Sequence, residues 1–141
     1  TLKGYFERVH AALADDGIFF LDAYGGYDSH KEIVEEREID DGGKGFTYIW
    51  EQASFDPITH AMTCHIHFGF PDGSKMRKAF SYRWRLWSVP EVRDLLEECG
   101  FGRITVYWQG WDKHGEPDGD FRPANHAEAD AGWICYLTAE K

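Results

Sequence analysis

The two histidines His65 and His67 are the residues whose type and spacing most directly suggest chemistry. They lie two positions apart in a segment of alternating polar and apolar residues, so both imidazoles face the same side of a predicted strand. Imidazoles placed this way could bind a metal, but the sequence offers no third ligand at a recognisable spacing. We therefore predict no metal site and interpret the pair as polar groups on a sheet surface.

Acidic residues and one histidine alternate through a glycine-rich segment in the last third of the chain. The glycine and the closing glutamate of a calcium-binding loop are missing from their required offsets, so we predict a solvated acidic loop. The alternating residues are Asp112, His114, Glu116, Asp118 and Asp120. A second glycine-rich run, residues 41–45, lacks the Gly-Lys-Ser/Thr ending of a phosphate-binding loop.

The serine, threonine and cysteine residues carry no nucleophile signature such as G-x-S-x-G, so we predict no catalytic nucleophile. The three cysteines, Cys64, Cys99 and Cys135, cannot all pair with one another, and none belongs to a C-x-x-C motif. Each lies at an apolar position of its predicted element, which indicates buried free thiols in a reducing compartment. We therefore predict a cytoplasmic protein.

The charge and composition of the chain restrict its partners. Its 141 residues include 15 Lys and Arg against 25 Asp and Glu, a net charge of −10, which opposes binding to nucleic acid. No apolar run reaches the roughly 20 residues of a membrane span, so we predict no membrane partner. The 43% of hydrophobic residues is sufficient for a packed core.

Apolar periodicity divides residues 1–141 into three parts of a single partial domain. The two outer parts have the spacing of amphipathic helices followed by strands, and the middle part alternates with the period of a half-buried sheet. The parts are a helix and a buried strand in residues 1–27, a lid and an antiparallel insertion in residues 28–87, and a closing helix with two strands in residues 88–141.

Four segments carry more detailed expectations. The apolar run 18–24 is typical of a strand buried on both faces. The charged segment 28–38 predicts an exposed helix or lid, and the polar segment 110–130 predicts a loop. Ser88 and Glu91 have the spacing of a capping box, which predicts the start of the closing helix.

The middle part predicts three antiparallel strands within residues 46–86, with a type I turn at Phe70–Ser74. Counting back from a Phe70–Ser74 pair, the predicted pairs are Phe68 with Met76, Cys64 with Phe80, and Met62 with Tyr82. This register collects the apolar side chains on one face. The other face then carries Glu51, Thr63, His65, His67, Arg77, Ser81, Arg83 and Arg85.

Several strings follow the pattern of one known family. The helix Tyr5–Leu13 and the strand Gly17–Asp22 look like a helix and the fifth strand of that pattern. The run Arg85–Glu91 into Leu95–Phe101 is similar to an s-x-x-E-x-x-x-L-L-x-x-x-G-F helix that leads to a final antiparallel strand pair, and residues 46–86 look like an insertion. Together these strings resemble the C-terminal half of a class I S-adenosylmethionine-dependent methyltransferase.

The resemblance implies an α/β fold, the C-terminal portion of a Rossmann-like methyltransferase sheet with an inserted three-stranded antiparallel sheet. It also implies a methyltransferase that acts on a small-molecule acceptor, with S-adenosylmethionine as cofactor. The D/E-x-G-x-G-x-G loop and the ribose-binding acid of the family are expected upstream of Thr1. We therefore expect these 141 residues to be inactive alone and not to bind the cofactor tightly.

Methyl transfer to a nucleophilic acceptor mainly requires in-line placement in a dry pocket, so the resemblance implies substrate contacts rather than a catalytic triad. Tyr82 is also compatible with a core position, because Phe80 and Trp84 share its face. The candidate acceptor contacts are Tyr24, His65, His67, Tyr82, Arg85 and Trp87. We further predict a homodimer formed through the open edge or apolar face of residues 18–24.

Two other readings are compatible with the residues. The chain could be a non-catalytic α+β domain that encloses a small ligand in an aromatic cavity, or a structural interaction module. The doubly apolar run 18–21 favours the methyltransferase fragment, because a half-exposed antiparallel sheet rarely contains such a strand.

Overall fold

Two four-stranded antiparallel sheets organise this α/β protein, whose computed structural model describes residues 1–115 and 117–141. Unit 1 comprises residues 1–26 and 87–141, and unit 2 comprises residues 27–86. In chain order the elements are α1 (Leu2–Ala12), β1 (Ile18–Gly25), a short 3₁₀ helix (Tyr27–His30), β2 (Ile33–Ile39), β3 (Phe46–Phe55), β4 (Ala61–Gly69), β5 (Lys75–Arg85), α2 (Val89–Glu98), β6 (Ile104–Trp111), β7 (Pro117–Pro123) and β8 (Trp133–Glu140).

The sheet of unit 1 has the strand order β1-β8-β6-β7. One of its faces packs with α1 and α2 around a shared core, because alternate residues of β8 point inward while the helices turn their apolar stripes toward them. The buried residues of this core are Phe6, Val92, Leu96, Phe101, Cys135, Leu137 and Ala139.

Strand β1 is buried on one face only, which corrects the expectation for residues 18–24. Phe19 and Leu21 pack against the core, whereas Ile18 and Phe20 are each 59% exposed. The reason is that α1 and α2 pack on one face of this sheet, and Ile18 and Phe20 lie on the other face. The outward apolar residues of β1 therefore lie on an open sheet face.

Both helices have a side-chain cap at their N-terminus. The Thr1 side chain accepts a hydrogen bond from the Gly4 N–H at 3.2 Å, which caps α1. At α2 the Ser88 hydroxyl accepts from the Glu91 N–H, and the Glu91 carboxylate accepts from the Ser88 N–H at 2.9 Å. The predicted capping box is confirmed.

Strand β7 replaces part of the loop that we expected over residues 110–130. It pairs with β6, with Phe121 opposite Gln109, and its Phe121 ring lies 4.4 Å from the Tyr136 ring. Most of its side chains face solvent at a sheet edge, so the strand lacks the apolar alternation by which strands are recognised. The closing part of the chain therefore contains three strands rather than two.

Unit 2 is a meander in which each strand pairs with its sequence neighbours, in the order β2-β3-β4-β5. Residues 33–39 form strand β2, so the expected helix over residues 28–38 is wrong, and the inserted sheet has four strands rather than three. The charged residues that suggested an exposed helix instead lie on an edge strand, where charge discourages pairing with another chain.

The turn at Phe70–Ser74 is confirmed, because the Phe70 N–H donates to the Ser74 carbonyl and Gly73 has a φ of 83°. The pair Phe68–Met76 is also confirmed. Beyond it a β-bulge between Ile66 and Phe68 shifts the register by two residues. Cys64 therefore pairs with Tyr82 rather than Phe80, and Met62 pairs with Trp84 rather than Tyr82.

Side chains alternate between the two faces of a sheet with a period of two. Because the register shift is also two residues, each side chain stays on the face that was predicted for it. Lys78 lies in the bulge with a φ of 50°, a backbone conformation that a lysine rarely adopts. The apolar and polar faces predicted for the middle part are therefore kept despite the changed pairs.

The cysteines are free. Cys64 and Cys135 are buried as predicted, but Cys99, the C-cap residue of α2, packs against the core and is only half-buried. No helix within residues 1–115 and 117–141 is both long and apolar enough to cross a membrane.

Candidate functional site

The polar face of the unit 2 sheet brings His65 and His67 together. Both lie on β4, and their ring centroids are 6.1 Å apart. The i, i+2 spacing places them on one face as expected, with β3 on one side and β5 on the other. The neighbouring strands supply a polar partner for each ring.

His67 uses both of its ring nitrogens within the sheet. Its Nδ1 accepts a hydrogen bond from the Lys78 backbone N–H at 3.0 Å, and its Nε2 lies 2.8 Å from the Glu51 carboxylate. Since Nδ1 acts as an acceptor, the neutral ring carries its proton on Nε2 and donates it to Glu51. This geometry leaves no lone pair on His67 for a metal, and it holds the bulge of β5 in place.

His65 is paired with a hydroxyl. Its Nδ1 lies 2.8 Å from the Ser81 Oγ on β5, and only 8% of the residue is exposed. Ser81 itself is exposed, so its hydroxyl can contact both the imidazole and a molecule that approaches this face. Such a pair can orient, or exchange a proton with, a hydroxyl or amino group of a ligand.

Two arginines of β5 share this polar face. Arg83 pairs with Thr63 in the sheet register and Arg85 pairs with Ala61, two and four positions beyond the His65–Ser81 pair. They make this end of the face basic, although the protein as a whole is acidic. This basic end is electrostatically complementary to a ligand that carries an anionic group.

A groove of about 430 Å³ lies at the same end of unit 2. Its walls combine apolar side chains with hydroxyls, one arginine and one carboxylate, namely Ser54, Phe55, Asp56, Ala61, Met62, Thr63, Arg83 and Trp84. The Asp56 carboxylate accepts hydrogen bonds from the Ile58 and Thr59 N–H groups, which hold its pKa below the usual value. The Asp56 carboxylate therefore stays ionised, and its hydrogen bonds stabilise the turn at residues 56–59.

The other candidate residues lie on the other face of the unit 2 sheet or belong to unit 1. Tyr82 lies on the opposite, apolar face of the sheet, where its ring is 4.6 Å from that of Trp84. Tyr24 and Trp87 belong to unit 1: Tyr24 is opposite Ile134 in the β1–β8 pairing, and Trp87 packs against the core of that unit. Of the six candidates, the structure brings His65, His67 and Arg85 to one surface.

Two polar contacts of unit 2 were not predicted from the sequence. The hydrogen bond from the Lys78 N–H to His67 depends on the β-bulge in β5, which no local sequence motif indicates. The Gln52 amide is 4% exposed and donates to the carbonyls of Asp28 and Lys31, which fixes the 3₁₀ segment to β3. A signal for Gln52 did exist, because it follows Phe46, Tyr48 and Trp50 at the same alternating phase and breaks their apolar pattern.

The acidic residues of β7 form ion pairs with an arginine of the same strand. Asp118 and Asp120 both contact the Arg122 guanidinium, at 3.0 and 2.9 Å. A hydrogen bond from the Asp120 N–H, together with Arg122, lowers the pKa of Asp118. Glu116, named above with these acidic residues, lies outside the described residues. Within residues 1–115 and 117–141, no group of three His, Cys, Asp or Glu residues could hold a metal ion.

Comparison with known proteins identifies the fold but not the family. No family model and no curated protein matches the sequence. Among solved structures, the chain is similar to the CcbJ methyltransferase from Streptomyces caelestis, with a TM-score of 0.60 and 12% sequence identity. The similarity covers 99% of this chain and 50% of that one, so this chain spans about half the length of its structural neighbour. The fold is therefore a methyltransferase-like α/β fold.

Proposed function

We propose that these 141 residues are the C-terminal part of an S-adenosylmethionine-dependent methyltransferase that acts on a small-molecule acceptor. The observation that carries this proposal is the structural similarity, which extends over 99% of the chain but only 50% of CcbJ. A self-contained ligand-binding domain would not be expected to align over its own full length with half of a methyltransferase.

The topology of unit 1 supports the same proposal. Strands β1 and β6 both pair antiparallel with β8, which lies between them, so β1 and β6 run in the same direction. The chain between them includes α2, which packs against the sheet. We interpret this as the closing portion of a Rossmann-like sheet, with unit 2 inserted between β1 and α2.

The proposal assigns acceptor contact, and no cofactor contact, to this chain. When bound to the whole protein, S-adenosylmethionine would supply a methyl group activated by its sulfonium. The glycine-rich loop and ribose-binding acid that would hold it are not among these residues. The polar face of unit 2 would orient the acceptor through the His65–Ser81 pair and Arg85, while His67 fixes the β5 backbone that carries Ser81.

Calorimetric titration with S-adenosylmethionine tests the proposal. We expect no binding in the micromolar range by the 141-residue chain. We expect binding, and transfer of a labelled methyl group to an acceptor, by the longer protein encoded by the same gene. Micromolar binding by the 141 residues alone, or a gene product without an added cofactor-binding half, would contradict the proposal.

A second candidate function is a non-catalytic small-ligand-binding domain, which the groove of about 430 Å³ favours. Its amphiphilic lining suits a molecule with an apolar body and an anionic group, because Phe55, Met62 and Trp84 meet Arg83 there. Titration of the longer gene product separates the two functions, because only a methyltransferase would gain S-adenosylmethionine binding from the added residues.

A further inference from the structure

The apolar side of the unit 2 sheet is an exposed aromatic surface. Met76, Phe80 and Trp84 are 52%, 53% and 43% exposed, although large apolar side chains on a sheet face are normally covered. The strand register places them beside half-buried aromatic residues on the same face. The aromatic face consists of Phe46, Tyr48, Trp50, Phe68, Met76, Phe80, Tyr82 and Trp84.

The rings of the aromatic face hold one another in position. Phe68 lies between Phe46 and Phe80, with ring centroids 5.7 and 6.5 Å away in edge-to-face geometry. Trp84 lies 6.2 Å from Trp50 and packs against Tyr82 on its other side. Because these contacts already restrict the side-chain rotamers, a partner that covers the face would order few additional groups.

The edges of this sheet are poor sites for pairing with another strand. The outer strand β2 carries four consecutive charged residues, 35–38, and the outer strand β5 contains basic residues and the bulge at Lys78. Charges and bulges on edge strands oppose edge-to-edge association. The aromatic face is therefore the surface of unit 2 that is suited to a partner.

The size of the aromatic face matches a second copy of the sheet. An aromatic or methionine side chain that is half exposed presents about 100 Å². With its partly buried neighbours the whole face then presents on the order of 600 Å², or about 1,200 Å² when two copies meet. A stable, specific interface needs about this area, whereas an isolated monomer rarely leaves so large an apolar patch open.

The charge distribution also favours contact through unit 2. This unit has 8 basic and 10 acidic residues, a net charge of −2, whereas the whole chain carries −10. Two copies that meet through unit 2 therefore bring together segments with little net charge. On the aromatic face of β2, Glu35 and Arg37 provide both signs of charge at the rim, opposite Trp50 and Tyr48 in the register.

We propose that the aromatic face is a homodimer interface in which two copies pack their unit 2 sheets face to face. The two sheets would form an intermolecular β-sandwich about 10 Å thick, related by a two-fold axis. Phe80 and Trp84 are the anchors, because their rings are the most exposed of this face. This interface does not depend on the proposed enzymatic function.

Size-exclusion chromatography with light scattering tests the interface at low micromolar concentration. We expect a dimer for the unmodified chain and a monomer for Phe80→Lys, with at least a tenfold weaker association. Met76→Glu provides a second disruption on the exposed rim, and circular dichroism checks that both variants remain folded. The matched control is Phe20→Lys, which adds the same charge at a residue of unit 1 that is 59% exposed and should remain dimeric.

Two results would overturn this interface. One is a monomeric unmodified chain at 100-fold higher concentration, and the other is dissociation by Phe20→Lys while folded Phe80→Lys stays dimeric. The second result would move the contact to the open face of β1.

Discussion

At the scale of single residues, the three thiols differ in how well the fold protects them. Burial raises the pKa of Cys64 and of Cys135 to about 11, so these groups are both covered and protonated near neutral pH. Cys99 has a raised pKa too, because of partial burial and the nearby Glu7 carboxylate, but it is only half-buried.

We therefore expect one fast-reacting thiol in the native protein. At pH 8 a thiol reagent should modify Cys99 first, and Cys64 and Cys135 only when the protein unfolds. Mass spectrometry of timed labelling reactions identifies the modified residue. The fast phase should disappear in Cys99→Ser, and rapid native labelling of Cys64 would mean that the unit 2 sheet is open.

His67 makes a second prediction at this scale. Replacement by alanine removes the acceptor of the Lys78 N–H and should reduce the free energy of unfolding by about 1 kcal/mol. His67→Asn is the matched control, because its side-chain oxygen can occupy the position of Nδ1. Urea unfolding measures both variants. Equal losses for alanine and asparagine would show that the hydrogen bond to the bulge contributes nothing.

At the scale of elements, the capping box of α2 should stabilise the core of unit 1. Ser88→Ala removes the side-chain acceptor of the Glu91 N–H, with an expected loss of about 1 kcal/mol. Ser88→Asp keeps an acceptor at the same place and should lose much less. Thermal and urea unfolding measure the difference. An unchanged midpoint in Ser88→Ala would mean that packing alone defines the start of the helix.

Elements with strong local chemistry could be predicted from the sequence, whereas the two polar edge strands β2 and β7 could not. The capping box at Ser88 and the turn at Phe70–Ser74 depend on a few adjacent residues, so their sequences are sufficient. Strands β2 and β7 lie at sheet edges, where charge and exposure hide the alternating pattern. The bulge at Lys78 depends on contacts with β4, which no window of β5 residues contains.

The residues of the candidate site differ in the same way: some could be placed from the local sequence and others could not. Alternation along β4 was sufficient to place His65 and His67 on one face, and the even register shift kept Ser81 and Arg85 with them. Tyr24 and Trp87 could not be assigned in this way, because their surroundings depend on elements far apart in the sequence.

At the scale of the whole molecule, two apolar surfaces remain open on two different sheets. The sequence predicted association through residues 18–24, and the structure adds the aromatic face of unit 2. In our proposal a second copy covers the aromatic face, and the open face of β1 takes no part in that contact.

The division into one continuous and one discontinuous unit also determines the order in which the protein can fold during synthesis. Unit 2 is an uninterrupted segment whose strands pair only with sequence neighbours, so all its hairpins can close as soon as residues 27–86 have left the ribosome. Strand β1 pairs with β8, which is translated last. The edge of β1 that pairs with β8 therefore stays unpaired while more than half of the chain is translated, and this interval is when a chaperone would matter most.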